Sequence, residues 1–190
     1  MKDSCADWRE IIPELFWPAE LVDLPAALVQ RIEALPDERG LLLWGPQGAG
    51  KTYSAAAAVK RLWQNGYDIG WQPFEELLLK LRDTYKLAGG SEWEILKPLC
   101  GVDVLAVDDL GVTVGVDRQE SDFSLRVFLV LLDHRLTHCL RTFITSNKSV
   151  EDLAKCFDSR IASRMLEACD IVKIAGRDRR VPAPRRGQTP

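Results

Sequence analysis

The run Gly45-Pro46-Gln47-Gly48-Ala49-Gly50-Lys51-Thr52 places polyphosphate-binding residue types at the spacing G-x-x-x-x-G-K-[ST], without a mismatch. Glycines let the backbone wrap closely around phosphates. A helix that follows them aims its first N–H groups and its positive dipole end at the same charge. Lys51 is spaced to reach the β- and γ-phosphates, and Thr52 to hold Mg2+. The motif requires a strand in front and a helix behind. Leu41-Leu42-Leu43-Trp44 reads as a buried strand, and Tyr53 to Leu62 as an Ala-rich helix, so the context is present. Tyr53, directly behind the motif, joins the nucleotide-binding set.

Two carboxylates come next. Asp108 and Asp109 close the apolar, β-branched run Val102 to Val107, expected to be a central buried strand. In a parallel α/β sheet, ligands bind at the carboxyl ends of strands. Asp108 there would hold Mg2+ through water, and Asp109 would orient and deprotonate an attacking water. The plain alternative is a pair of turn-forming aspartates. Asn147 ends another strand, in Thr145-Ser146-Asn147. Its amide suits a γ-phosphate or the attacking water. The local sequence alone favours a turn or cap, because Ser149 follows closely. Arg160 and Arg164 lie four apart, on one face of an expected helix. They read either as a surface ion-pair face or as an arginine finger reaching a neighbouring subunit's nucleotide. Lys80, Arg82 and Lys86 could meet a nucleic-acid backbone, but Glu75, Glu76 and Asp83 dilute the patch, so a solvated face is an equal reading.

The elements that must position these groups alternate strand and helix. Expected strands are Leu41–Trp44, Asp68–Gln72, Val102–Val107, Arg141–Ser146 and Asp170–Ile174. Expected helices run over Leu24–Leu35, Tyr53–Leu62, Phe74–Leu87, Ser121–Leu136 and Phe157–Cys169, with Ser149 capping a short one between the last two. Pro73 should open the third of these. Ser91 and Glu94 sit at the two ends of a capping box that starts a further helix. Asn65-Gly66 is a helix stop. Such alternation implies a parallel sheet covered on both faces. Residues 1–38 carry four prolines yet also Trp8, Ile11, Ile12, Phe16 and Trp17. They should pack on the core as a leader, some as plain core and some covering a nucleotide base. Residues 39–180 form the main domain, and 181–190 read as a disordered, basic, Pro-containing tail.

Composition bounds the rest. At 190 residues the chain suits one domain, and 46% hydrophobic with 28% charged residues suits a soluble one. A net charge of −3 excludes a generally basic nucleic-acid binder, so any DNA contact must be local. The five cysteines form no C-x-x-C pair and are odd in number, which points to reduced thiols in the cytoplasm rather than disulfides or zinc. No run is long enough for a membrane span, and no apolar region follows Met1-Lys2-Asp3-Ser4 as in a signal peptide.

Four segments together resemble the AAA+ ATPases of the DnaC/IstB-like group, helicase loaders and transposase helpers. They are Gly45–Thr52, Leu105-Ala106-Val107-Asp108-Asp109-Leu110-Gly111, Ile144-Thr145-Ser146-Asn147 and Ser159-Arg160-Ile161-Ala162-Ser163-Arg164-Met165. The resemblance spans about Gly40 to Arg180. It implies an α/β P-loop NTPase, an AAA+ core with a five-stranded parallel sheet flanked by helices, and a lid reduced or absent. It implies ATP and Mg2+ as cofactors and ATP hydrolysis, slow and stimulated by oligomerisation or DNA. Asn147 falls at the family's sensor 1 position, and Arg160 at its arginine-finger position, with Arg164 one turn on. The helix carrying Lys80, Arg82 and Lys86 resembles the clade's insertion beside a central channel. The partners implied are further copies in an ATP-dependent ring or spiral, single-stranded DNA, and a replicative helicase or, alternatively, a transposase; no membrane is implied. Asp109 stands where a glutamate is usual. Four readings compete: helicase-loader-like, IstB-like, a small-molecule kinase, which would act as a monomer indifferent to DNA, and a non-hydrolysing adaptor that uses ATP only to hold a shape.

Overall fold

The computed structural model of the chain describes residues 6–84, 91–111 and 121–176. Five parallel strands form one sheet: β1 (Gly40–Trp44), β2 (Ile69–Pro73), β3 (Val104–Asp108), β4 (Arg141–Ser146) and β5 (Cys169–Lys173). Their order across the sheet is β2-β3-β4-β1-β5. The helices are α1 (Trp8–Ile11), α2 (Ala26–Glu33), α3 (Lys51–Gln64), α4 (Phe74–Thr84), α5 (Glu92–Gly101), α6 (Asp122–Thr137), α7 (Val150–Cys156) and α8 (Ser159–Ala168).

Successive strand residues point to opposite faces, and the apolar residues divide accordingly. Leu42, Leu105, Val107 and Ile144 join the core under α4 to α8. Leu41, Leu43, Val104, Ala106 and Phe143 join a second core built by α2, α3 and the leader. Both faces are covered, which is why the strands read as continuous apolar runs rather than alternating ones. The alanines of α3 allow a close approach of that helix: Ala55, Ala56, Ala57 and Ala58 are all buried, in the core that the sheet and the leader share.

The leader is fastened to α3 by polar bonds as well as by packing. Lys60, buried in α3, donates to the carbonyls of Trp17 and Ala19 and pairs with Glu20 at 2.5 Å. Its ammonium also lies 4.5 Å from the Trp8 ring centre. Trp63 Nε1 donates to the Ala6 carbonyl at 3.0 Å.

Several local expectations need correction. Pro73 ends β2 rather than opening α4, and it is tolerated there because β2 lies at the sheet edge, where a missing N–H costs no ladder bond. The helix expected from Leu24 starts at Ala26, behind Pro25. That expected from Phe157 starts at Ser159, with Asp158 as its cap, its carboxylate accepting from the Arg160 N–H. The Ser91 side chain makes no cap bond; the Glu94 N–H goes to the Ser91 carbonyl instead. The Asn65-Gly66 stop holds, with Gly66 at φ 90°. Lys86 and the tail, residues 181–190, lie outside the described residues.

Candidate functional site

Strand order builds the site. Because β4 sits between β1 and β3, the segments leaving their carboxyl ends lie side by side. Those segments are the glycine-rich loop after β1, Asp108-Asp109 at the end of β3, and Asn147 after β4. A cleft of about 440 Å³ opens among them, lined by Gln47, Gly48, Gly50, Lys51, Thr52, Tyr53, Asp109 and Asn147. Leu15 and Phe16 of the leader close another side. Within the leader, Trp8 and Ile12 are buried in the core, while Phe16 lines the cleft.

The loop turns on its glycines. Gly45 has φ 153°, and a Cβ there would lie 2.1 Å from the Ile174 carbonyl oxygen. Gly50, at φ 96°, caps the N-terminus of α3. Ala49 is buried and Pro46 exposed. Lys51 is buried, and its ammonium donates to the carbonyls of Gly45 and Pro46 at 3.0 and 2.9 Å. Tyr53 donates to Asp23 at 2.8 Å and to the Pro18 carbonyl at 3.2 Å, so the first turn of α3 also holds the leader.

The acidic pair splits into two environments. Asp108 is buried, and burial pushes its carboxyl up to about 6; the Thr145 hydroxyl pulls the other way, the Asp109 charge adds to the rise, and the Thr52 hydroxyl opposes it. Asp109 is exposed and held at φ 57°, a left-handed conformation rare for a residue with a Cβ. Thr145 fixes both: its hydroxyl donates to Asp108 at 2.5 Å and accepts from the Asp109 N–H at 2.9 Å. Asn147 is exposed beside them and caps no helix, since Ser149 caps α7.

Thr52 and Asp108 offer hard oxygen donors, one hydroxyl and one buried carboxylate, and that set suits Mg2+. Among the described residues no group of three or more His, Cys, Asp or Glu converges. A sparse donor set matches an ion that keeps several waters and takes substrate phosphates as ligands.

Residues 22–186 match the family of IstB-like ATP binding proteins. The chain belongs to that family. It is 27% identical over 121 residues to the replicative helicase loader DnaC of Escherichia coli K12, covering 64% of this chain and 47% of DnaC. It is 30% identical over 145 residues to an IS21-like putative ATP-binding protein of Bacteroides fragilis, covering 72% of this chain and 51% of that one. The chain therefore spans about half the length of the curated relatives it matches. The solved structure of DnaI superposes with a TM-score of 0.73 at 26% identity, covering 86% of this chain and 94% of the other. An ATP-binding, DnaC/IstB-type protein with the P-loop AAA+ fold accounts for the strand order, the loop and the acidic strand end together.

Other expected site residues of this IstB-like chain lie elsewhere. Neither Arg160 nor Arg164 lines the cleft. Arg160 pairs with Asp158 at 3.0 Å and borders a shallow groove with Asp122, Leu125 and Leu129. Arg164 pairs with Asp133 at 2.8 Å and Glu167 at 2.9 Å. The ion-pair reading thus describes both within one subunit. Lys80 is exposed and donates to Gln72 at 3.2 Å; the Arg82 guanidinium lies 5.5 Å from the Phe123 ring centre. Lys86 lies outside the described residues. Sequence reasoning missed the supports: Thr145, Ser146 and Lys148 are buried polar residues at the end of β4. A Thr-Ser pair ending an apolar strand was the available signal for the first two. Nothing in the sequence marks Lys148 as buried.

Proposed function

We propose that the chain hydrolyses ATP and acts as a helicase-loader-like AAA+ switch on single-stranded DNA and a replicative helicase. The observation that carries the reading is the convergence of Lys51, Thr52, Asp109 and Asn147 on one cleft, with Asp108 buried behind them. In it, Gly45 to Thr52 and Tyr53 bind the nucleotide, and Lys51 contacts the β- and γ-phosphates. Asp109 orients a water and takes its proton as the oxygen attacks the γ-phosphorus, so ATP and water become ADP and phosphate. Asn147 hydrogen-bonds the γ-phosphate or that water. Mg2+ held by Thr52 and, through water, Asp108 would neutralise charge building on the phosphates.

Arg160 supplies its cation to the nucleotide of an adjacent copy in a ring or spiral, and Arg164 supports that contact. Its 73% exposed side chain is tied only to Asp158 among the described contacts, so it is available to swing. Lys80 and Arg82 are exposed on α4, where a DNA backbone could reach them; Lys86 completes that expected patch. Among the described residues no helix is long and apolar enough to cross a membrane. The DnaC and DnaI likenesses favour the helicase as client. The 30% identity to an IS21-like protein supports the second reading, a transposase helper using the same engine. A small-molecule kinase fits neither likeness.

The test is a crosslinking pull-down from the source cells with ATP, using Asp109→Asn to hold the bound state. Recovery of the replicative helicase supports the loader reading. Recovery of a transposase replaces it with the second, and ATP binding without turnover by the wild-type chain removes hydrolysis from both.

A further inference from the structure

Lys148 is buried at 7% exposure, one residue past Asn147. A buried ammonium is retained only where acceptors satisfy it, because desolvating it otherwise costs more than any packing it provides. A purely apolar filler would serve packing alone. Here the ammonium donates to the carbonyl of Gly111. The Lys148 N–H donates to Ser146 Oγ at 3.1 Å, and that hydroxyl donates to the Leu110 carbonyl at 2.8 Å. The Leu110 N–H goes to the Thr145 carbonyl at 2.9 Å, and the Asp109 N–H to Thr145 Oγ1 at 2.9 Å. Each residue of the turn Asp109-Leu110-Gly111 is thus bonded to the segment Thr145–Lys148. Asn147 lies inside that segment, on the same cleft as Asp109.

The turn needs such bracing. Asp109 has a left-handed backbone at φ 57°, costly for a residue with a Cβ, whereas Gly111 takes φ 70° without that cost. Gly111 is also pressed from behind: a Cβ on it would stand 3.1 Å from Leu153 Cδ2 and 3.3 Å from Phe157 Cε2. Phe157 in turn packs against Phe74 and Phe128 and directly precedes Asp158, the cap of Arg160's helix.

We propose that Lys148 is a positioning residue for ATP hydrolysis: it straps the Asp109 turn to the Asn147 loop, so that the water-orienting carboxylate and the phosphate-facing amide move as one unit. The inference rests on the hydrolysis reading above. The bonds of Lys148 run to Gly111 of the Asp109 turn and to Ser146, behind the carboxylate and amide assigned to the attacking water, so its loss should cost turnover more than nucleotide binding.

The experiment uses the full chain with ATP and Mg2+. Lys148→Met keeps most of the stem and removes the donors. Its kcat for phosphate release should fall about ten- to hundredfold, the usual penalty for displacing a reacting group by about an ångström. KM and the Kd of a fluorescent ATP analogue should stay within about threefold. In an Asn147→Ala background the same substitution should add little, because the unit it holds together is already broken; a merely structural lesion would multiply the two losses. Unchanged kcat, equal loss of affinity and kcat, or simple multiplication each overturns the proposal. If Lys148→Met does not fold, Ser146→Ala removes the middle bond of the strap and must show the same split. Wild-type turnover with an unaffected Lys148→Met sinks this proposal alone, whereas a wild type that binds ATP and never turns it over sinks the hydrolysis reading with it.

Discussion

Asp108→Asn should stabilise the metal-free protein while disabling it. Asp108 is 7% exposed, and burial raises its carboxyl from 3.8 to about 6. A proton therefore binds the folded chain more tightly than the unfolded one. The sign follows from that: the stability this group contributes is fully present below the unfolded value of about 4 and is lost as pH rises through about 6. The gap between 3.8 and about 6 is worth about 3 kcal/mol once both states are ionised. Asn keeps an oxygen for the Thr145 hydroxyl and carries no charge, so the penalty disappears. Urea unfolding in EDTA should find Asp108→Asn more stable by about 2–3 kcal/mol near pH 7.5 and by only about 1 kcal/mol near pH 4.5. Mg2+ with ATP at a hundred times Kd should return about 2.7 kcal/mol to the wild type, and much less to the variant. A variant less stable than wild type near pH 7.5, or a difference independent of pH, refutes the argument that burial of this carboxylate is a cost held for cation binding.

Other substitutions test other parts. Lys51→Ala removes the buried ammonium of the loop and should abolish nucleotide binding by calorimetry; wild-type turnover in that variant rules out the phosphate role. Mixing Arg160→Ala with Asp109→Asn subunits should restore part of the ATPase activity that each lacks alone, since one mixed interface has both groups intact. No recovery at any ratio, with mixed oligomers verified, counts against a role in trans. Arg135 is fully buried, and donates to the carbonyls of Leu99, Val102 and Arg141 and to the Thr142 hydroxyl. Arg135→Leu leaves those acceptors unpaired and should cost about 3–5 kcal/mol by urea unfolding, and a loss under about 1 kcal/mol would show that water replaces it.

Much of the fold was legible because β1 and β3 are short, near-continuous apolar runs and β4 has an apolar centre, each followed by polar or glycine residues. The residues brought to the cleft were legible for a related reason: the glycine-rich loop, Asp108-Asp109 and Asn147 each end such a run, and a parallel sheet gathers strand ends. What escaped was decided by distant partners. Pro73 reads as a helix opener until the strand order shows that β2 is an edge. Ser91 and Glu94 have the right spacing for a reciprocal cap, yet the Ser91 hydroxyl does not form it. Nothing in the sequence marks Arg135 or Lys148 as buried, and only the carbonyls that converge on them from α5, the segment before β3, β4 and the Asp109 turn account for their burial.

The central place of β4 explains how such costs are tolerated. Two unfavourable features sit side by side at the cleft, a desolvated carboxylate at Asp108 and a left-handed backbone at Asp109. Neither persists unless its surroundings over-determine it. The surroundings come from one strand end: Thr145 holds both aspartates, the Ser146 hydroxyl holds Leu110, and the Ser146 carbonyl accepts the Gly45 N–H at 3.2 Å where the glycine-rich loop begins. The strand that presents Asn147 to the cleft thereby also bonds to the acidic turn on one side and the phosphate loop on the other. In the proposed hydrolysis, a pull on Asn147 from a bound phosphate would act on both neighbours through bonds already made, without a rearrangement of the sheet.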